Sequence, residues 1–234
     1  MKKTDHVPIV TIDGPAGSGK GTIAQAVAEK LGWHMLDSGA LYRLVALAAI
    51  RKGLDLDANE KDTDENKLSS IARNLDVLFT PCNDGVVEVC LEGDDVSKAI
   101  RTEECASAAS RVAADEDVRH ALLQRQRDFQ EAPGLVADGR DMGTVVFPDA
   151  GVKIYLTASP EIRALRRQNQ LKQQGIDANL RGLIRDIEAR DKRDSTRKVA
   201  PLIPAEDAII IDTGKLSIEE VVSMVLERIA EVYQ

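Results

Sequence analysis

The chain has 234 residues, 43% of them apolar, enough to bury the core of one large domain or of a core with small appendages. A formal net charge of -8 argues against nucleic acid or an anionic membrane surface as partner, because accumulated positive charge drives both associations. Cys82, Cys90 and Cys105 show neither CxxC nor Cys/His ligand spacing, which argues against a disulfide framework or a zinc site and predicts free thiols.

The N-terminal stretch MKKTDHVPIV lacks the apolar run of a signal peptide, and no later run approaches a membrane span, so a cytoplasmic location is expected. The first apolar run, VPIVTID from Val7 to Asp13, is short, β-branched and bounded by Gly14, which predicts a buried strand. It leads directly into GPAGSGKGT. A GxxxxGK pattern that leaves a strand and opens a helix has the context a phosphate-binding loop requires. Glycines let successive backbone N–H groups curve around phosphate oxygens, the helix N-terminus adds positive potential, and the lysine reaches the transferring phosphates. The expected ATP-binding residues are therefore Gly14, Pro15, Ala16, Gly17, Ser18, Gly19, Lys20, Gly21 and Thr22. The common loop follows its lysine directly with Ser or Thr, whereas Gly21 intervenes here.

Ile23, Ala26, Val27 and Leu31 recur at helical spacing as far as Gly32, which predicts a helix that stops there. WHMLDSG reads as a second strand ending at Asp37, followed by a helix from about Ala40 to Lys52 closed by Gly53. Between Asp62 and about Cys105, two period-two runs flank Asn83-Asp84-Gly85, the pattern of an antiparallel hairpin inserted as a small subdomain. GLVADG, VKIYLTA and AIIIDTG are further short apolar runs that end in polar turns. Five such runs interleaved with helices predict an α/β fold, a parallel sheet flanked by helices.

Ser159-Pro160-Glu161 is a helix start and opens an arginine-rich stretch that runs to Arg197. Arg190, Arg193 and Arg197 stand at i, i+3 and i+7, so a continuous helix presents them on one face. Alternation with Asp186, Glu188, Asp191 and Asp194 leaves a solvated ion-pair surface as the alternative. Near the C-terminus, Ser217 and Glu220 form a capping box, and Ile218, Val221, Val222, Val225 and Ile229 share one apolar face.

A phosphate loop admits several enzyme classes. A switch GTPase needs an NKxD-like guanine reader, and NKLS at Asn66 to Ser69 lacks the Asp. A motor or transport ATPase usually ends an apolar strand in Asp-Glu, and LVADGRD offers Asp138 without the Glu. A kinase with a phosphate acceptor needs a second anion pocket, a base pocket and a mobile basic cover, for which the arginine-rich stretch is the candidate. His6, His34 and His120 are unrelated in spacing and are expected to be structural or exposed.

GPAGSGKGT, LDSGALYR, LEGDDVS, ADGRDMGTVVFPDA and RDKRDSTR together resemble the bacterial cytidylate kinases, in their longer form with an inserted hairpin subdomain, over nearly the whole chain. GSGKGT is shared among nucleoside monophosphate kinases, whereas DSGALYR and DGRDMGT are specific to the cytidylate branch; the loop with glycine before Thr22 is the monophosphate-kinase form. The resemblance implies a P-loop NTPase fold with one kinase domain over residues 5–234. Within it, an acceptor region spans 38–133, including the hairpin subdomain 62–105, and a lid spans 159–197. It implies phosphorylation of CMP and dCMP to CDP and dCDP, with ATP as donor and Mg²⁺ as cofactor, by a monomer. A kinase of another nucleoside monophosphate or small metabolite, and a P-loop switch or binding protein, remain the alternatives.

The resemblance also assigns residues. Arg43 and Arg140 hold the acceptor phosphate, where a solvated helix residue and an ion pair with Asp138 or Asp141 are the respective alternatives. Ser38, Arg119, Asp141 and Arg197 meet the pyrimidine, although Arg119 also reads as part of an exposed basic helix face. Ser110, Arg190 and Asp194 meet the ribose, and Lys20, Arg140, Arg190 and Arg193 form the catalytic set. Thr22 and Asp138 are expected on the metal, directly or through water, and Arg163 and Arg167 on the ATP side.

Overall fold

A computed structural model describes residues 7–56, 65–81, 87–173 and 175–233. In chain order the strands are β1 (Ile9–Asp13), β2 (His34–Asp37), β3 (Val77–Pro81), β4 (Val87–Leu91), β5 (Asp94–Asp95), β6 (Leu135–Gly139), β7 (Val152–Thr157) and β8 (Ile209–Asp212). The α-helices are α1 (Lys20–Leu31), α2 (Ser38–Arg51), α3 (Glu65–Arg73), α4 (Glu103–Val112), α5 (Glu116–Arg127), α6 (Pro160–Gln173), α7 (Leu180–Thr196) and α8 (Ile218–Tyr233). They divide into two compact units, Met1–Asp37 with Gln126–Gln234, and Ser38–Arg125.

In the first unit the five short apolar runs form one parallel sheet in the order β2-β6-β1-β7-β8. β1 and β6 are buried along their whole length, as a sheet covered on both faces requires. Val10, Ile12, Ile154 and Leu156 pack with Ile23 and Val27 of α1 and with Val221, Val222, Val225 and Ile229 of α8. The first strand starts at Ile9, two residues later than its apolar run, because Pro8 has no N–H to give to the ladder. Its carbonyl still accepts from the Leu135 N–H at 2.9 Å. On α1 the buried face is Ile23, Ala24, Val27 and Ala28, with Ala26 and Leu31 only partly covered.

The capping box at the head of α8 is reciprocal. The Ser217 N–H donates to Glu220 Oε2 at 2.7 Å, and the Glu220 N–H to Ser217 Oγ at 3.2 Å. Ile218 is 52% exposed there, so it does not belong to the apolar face expected for it. At the far end of α8 the Tyr233 hydroxyl donates to the Ile9 carbonyl at 2.8 Å and accepts from the Ile9 and Gly151 N–H groups, each at 3.1 Å. Helix α7 starts where Asn179 Oδ1 accepts from the Arg181 and Gly182 N–H groups. It ends at Thr196, and Arg197 is extended at φ -62° and ψ 143°, so the i+7 helical spacing expected for Arg197 does not hold.

In the second unit, β3, β4 and β5 form an antiparallel sheet, and α2 packs on α3 and α4. β3 and β4 are the expected hairpin strands, while their turn at Asn83-Asp84-Gly85 lies outside the described residues, as do Cys82 and His6. β5 has two residues, too short for any periodicity to register. Cys90 is a half-buried free thiol and Cys105 a buried one. Among the described residues no helix is long and apolar enough to cross a membrane.

Candidate active site

A parallel sheet brings the carboxyl ends of its strands to one edge, where α/β proteins bind ligands. Here those ends are acidic: Asp13 closes β1, Asp37 closes β2, Asp212 closes β8, and Asp138 stands beside Asp37 in the β2–β6 register. The loop Gly14–Gly19 leaves this edge between β1 and α1, with left-handed backbone at Gly17 and Gly19 (φ 77° and 92°). Its carbonyls are tied from behind: Ser18 O accepts from Thr213 Oγ1 at 3.0 Å, and Ala16 O from Arg163 Nη1 at 3.0 Å. Ser18 Oγ is buried with no hydrogen-bond partner among the described residues. Lys20 Nζ donates to the Pro15 carbonyl at 3.3 Å. A Cβ at Gly21 would stand 3.2 Å from Asp138 Oδ2, tighter than an ordinary contact. That close approach is a physical reason for glycine between Lys20 and Thr22. Thr22 is exposed on the first turn of α1.

Positive charge is concentrated beside the loop. The Lys20 ammonium is lowered to about 8, first by withdrawal from water and then by repulsion from Arg140 and Arg190, with Asp138 and Asp37 pulling the other way. Arg140 Nε donates to Asp194 Oδ2 at 3.0 Å, so its ion pair is with Asp194 and not with Asp138 or Asp141. Burial pushes the Asp194 carboxyl up, but Arg140, Arg190 and Arg197 together outweigh it and hold the group below its usual range. Arg197 Nη2 lies 3.7 Å from Asp141 Oδ1, both side chains being almost wholly buried. Arg140, Asp141, Arg190, Asp194 and Arg197 are thus brought together. Arg193 is solvent-exposed on α7.

Arg163 is 3% exposed and acts as a strut. It donates to the Ala158 carbonyl at 2.9 Å, to Ala16 O in the loop, and through both terminal nitrogens to the Asp191 carboxylate of α7. Arg167 Nη1 donates to Gln170 Oε1 at 3.2 Å. A cavity of about 400 Å³ lined by Pro15, Tyr155, Arg163, Asp191, Ser195 and Asp212 lies on the Arg163 side of the loop, apart from Lys20. Arg163→Ala is expected to lower the unfolding free energy by about 2–4 kcal/mol, because it strands a carboxylate and two backbone acceptors. Urea titration of the variant against the parent measures it; a change within error would assign Arg163 no structural role.

In the second unit, Ser38 opens α2 and is buried, and Arg43 Nη1 donates to the Ile100 carbonyl at 2.7 Å. Ser110 is buried on α4. Arg119 is 7% exposed, donates to the Ala113 carbonyl at 3.2 Å and lies 5.5 Å from the ring centroid of Tyr42. The exposed basic face is therefore ruled out for Arg119.

Sequence reasoning assigns no site role to Asp13, Asp37 or Tyr42, and gives Asp191 only a place in a solvated ion-pair surface. For the first two a signal was present, since each is the polar residue that ends an apolar run. Asp13 is 5% exposed and accepts from the Met142 and Gly143 N–H groups. Burial drives its carboxyl up to about 7 against those two hydrogen bonds, with Asp141 and Asp138 adding to the rise.

The family profile described as cytidylate kinase matches residues 10–231. A protein named cytidylate kinase from Shewanella loihica (strain ATCC BAA-1088 / PV-4) is 56% identical over 228 residues, 97% of this chain and 96% of that one. One of the same name from Klebsiella pneumoniae (strain 342) is 54% identical over 224 residues, 96% of each chain.

Proposed function

The chain belongs to the cytidylate kinase family, and from that membership we infer that it transfers the γ-phosphoryl group of ATP to CMP and dCMP, giving CDP and dCDP. The observation that carries the reading is the grouping of Lys20, at the head of α1 with its ammonium on the loop carbonyl of Pro15, with Arg140 and Arg190 beside it: burial first and then these two cations disfavour the ammonium, an arrangement that a polyanion relieves. The acceptor needs no protein base, since a phosphate monoester's second ionisation lies near pKa ~6 and its oxygen is already a nucleophile at neutral pH. Catalysis consists of holding two anions in line and neutralising charge on the transferred group.

In this scheme the loop Gly14–Gly19 and Lys20 hold the ATP phosphates, and Arg43 and Arg140 take the acceptor phosphate. Asp141, Arg197, Ser38 and Arg119 read the cytosine edge, and Ser110, Arg190 and Asp194 the ribose. Arg193 joins Lys20, Arg140 and Arg190 around the transferred phosphoryl group when the arginine-rich helix closes. The acceptor region spans 38–133 and the lid 159–197. The donor set also fits Mg²⁺: Asp138 and Asp37 on neighbouring strands and the Thr22 hydroxyl are hard oxygens. Mg²⁺ commonly keeps several waters and is bound through one or two carboxylates plus substrate phosphates. Thr22 and Asp138 would hold the ion, directly or through water, and it would supply charge neutralisation at the phosphates. The net charge of -8 supports small-molecule substrates rather than nucleic acid or membrane as partners, and we place the enzyme in the cytoplasm as a monomer.

A coupled ADP-release assay with ATP, Mg²⁺ and CMP, dCMP, UMP, AMP or shikimate tests the reading. ADP release dependent on CMP and dCMP is expected; turnover only with another acceptor, or none, would overturn it. The lid reading has its own test on α7, which the ion pairs Arg163–Asp191 and Arg140–Asp194 tie to the rest of the first unit. Amide exchange across 159–197 is expected to slow when CMP and a nonhydrolysable ATP analogue bind together. Equal protection with and without them would remove the lid.

A further inference from the structure

Asp13 ends β1, and the next residue is the first of the phosphate loop. Its two carboxylate oxygens are used separately: Oδ1 accepts from the Met142 N–H at 2.9 Å and Oδ2 from the Gly143 N–H at 2.8 Å. Those amides open a π-helical turn, Met142–Val146, whose preceding residue is Asp141 at φ -145° and ψ 22°. The Asp141 carbonyl accepts from the Val145 N–H at 2.9 Å and the Val146 N–H at 3.2 Å, so the turn and the residue before it form one hydrogen-bonded piece. Asp13 anchors the head of this piece to β1, while Arg127 holds its far end, donating to the Val146 carbonyl at 3.0 Å and the Val145 carbonyl at 3.3 Å. The anchor is unfavourable by itself: the carboxyl is buried and has Asp141 and Asp138 as charged neighbours, which together with burial bring it up to about 7. An apolar residue would fill the same core volume without that penalty, but it would leave two buried amides unpaired.

We propose that Asp13 is a positioning residue for acceptor selection, which fixes the Met142 and Gly143 backbone and thereby sets where the Asp141 carboxylate and the Arg140 guanidinium stand. This rests on the reading above that Asp141 recognises cytosine. It makes one strand end serve both substrates, since β1 leads into the ATP loop through Gly14 while its last side chain holds the acceptor-reading segment.

Asp13→Asn is the discriminating change, because an amide offers one acceptor oxygen and turns its NH₂ toward the other backbone N–H. The ratio of kcat/KM for CMP to that for UMP is expected to fall by about tenfold or more, with a raised KM for CMP and a KM for ATP within about twofold of the parent. Asp13→Glu, which keeps both acceptors one methylene further out, is expected to shift the ratio the same way by less. Asp141→Ala is measured alongside. If its ratio does not move, the base reading fails and with it the route proposed for Asp13. If its ratio falls while that of folded Asp13→Asn does not, the Asp13 proposal alone fails. Equal losses on CMP, UMP and ATP in Asp13→Asn, or failure of both Asp13 variants to fold, would assign the residue to the fold and overturn the proposal.

Discussion

Lys20→Met is expected to lower kcat by about 10²–10³ or more with the fold intact. The lysine is the first residue of α1, and its ammonium turns back to the Pro15 carbonyl of the loop. Nothing in its surroundings makes it a stabilising ion pair: partial burial and Arg140 both work against its charge, and Asp138 and Asp37 only partly offset them. Methionine keeps the length of the chain and removes a cation that the free protein holds at some disadvantage, so thermal unfolding should not move down. The loss falls on the transition state, where the ammonium would meet charge developing on the transferred phosphoryl group. Rapid-quench turnover at saturating ATP and CMP, with a melting curve of the same sample, measures both halves. A folded Lys20→Met enzyme that turns over within a few-fold of the parent would remove the phosphate-loop mechanism.

The second large effect concerns the base. Cytosine presents an amino donor where uracil presents a carbonyl, and a carboxylate accepts hydrogen bonds but cannot donate them. Asp141 is 2% exposed and Ser38 4% exposed, so neither site offers bulk water as a substitute partner. The double variant Ser38→Ala with Asp141→Ala is expected to damage CMP far more than UMP, because CMP loses hydrogen bonds while UMP is relieved of an acceptor facing an acceptor. Polar sites of this type discriminate by up to ~10⁴–10⁵, so the ratio of kcat/KM values has a long way to fall. An unchanged ratio in the folded double variant would sink the base assignment and leave the kinase reading untouched.

Much of the first unit was legible because its signals are local. A β-branched run meeting GPAGSGKGT marks β1, the loop and α1 together, and the reciprocal Ser217–Glu220 pair marks the head of α8. What escaped depends on residues distant in the chain. The partner of Arg140 is Asp194, far away in the chain, whereas the ion-pair alternative read from the sequence offers only the nearer Asp138 and Asp141. The sequence reading places Arg163 on the ATP side, and tertiary structure shows it buried between the phosphate loop and α7. Ile218 illustrates the opposite error: its spacing fits the apolar face, but at the first residue of the helix that face has already run past the core. The extended backbone at Arg197 has the same origin, since the arginine spacing continues beyond the point where α7 stops.

β1, the first strand in chain order, lies in the middle of its sheet. Ile9 pairs with Leu135 on one side, and Val10 with Val152 on the other, so neither edge of β1 is hydrogen-bonded until a ribosome has delivered β6, and the second edge waits further for β7. At ordinary elongation rates that wait is on the order of ten seconds. During it IVTID is an unpaired apolar strand, the kind of segment that invites aggregation. The unit Ser38–Arg125 is continuous in sequence and emerges during the same interval, with its own sheet and helix contacts available at short range. The expected order of synthesis-coupled folding is therefore inverted relative to the chain: the inserted unit first, the nucleotide-binding sheet afterwards, and the N-terminal strand dependent until then on whatever shields it.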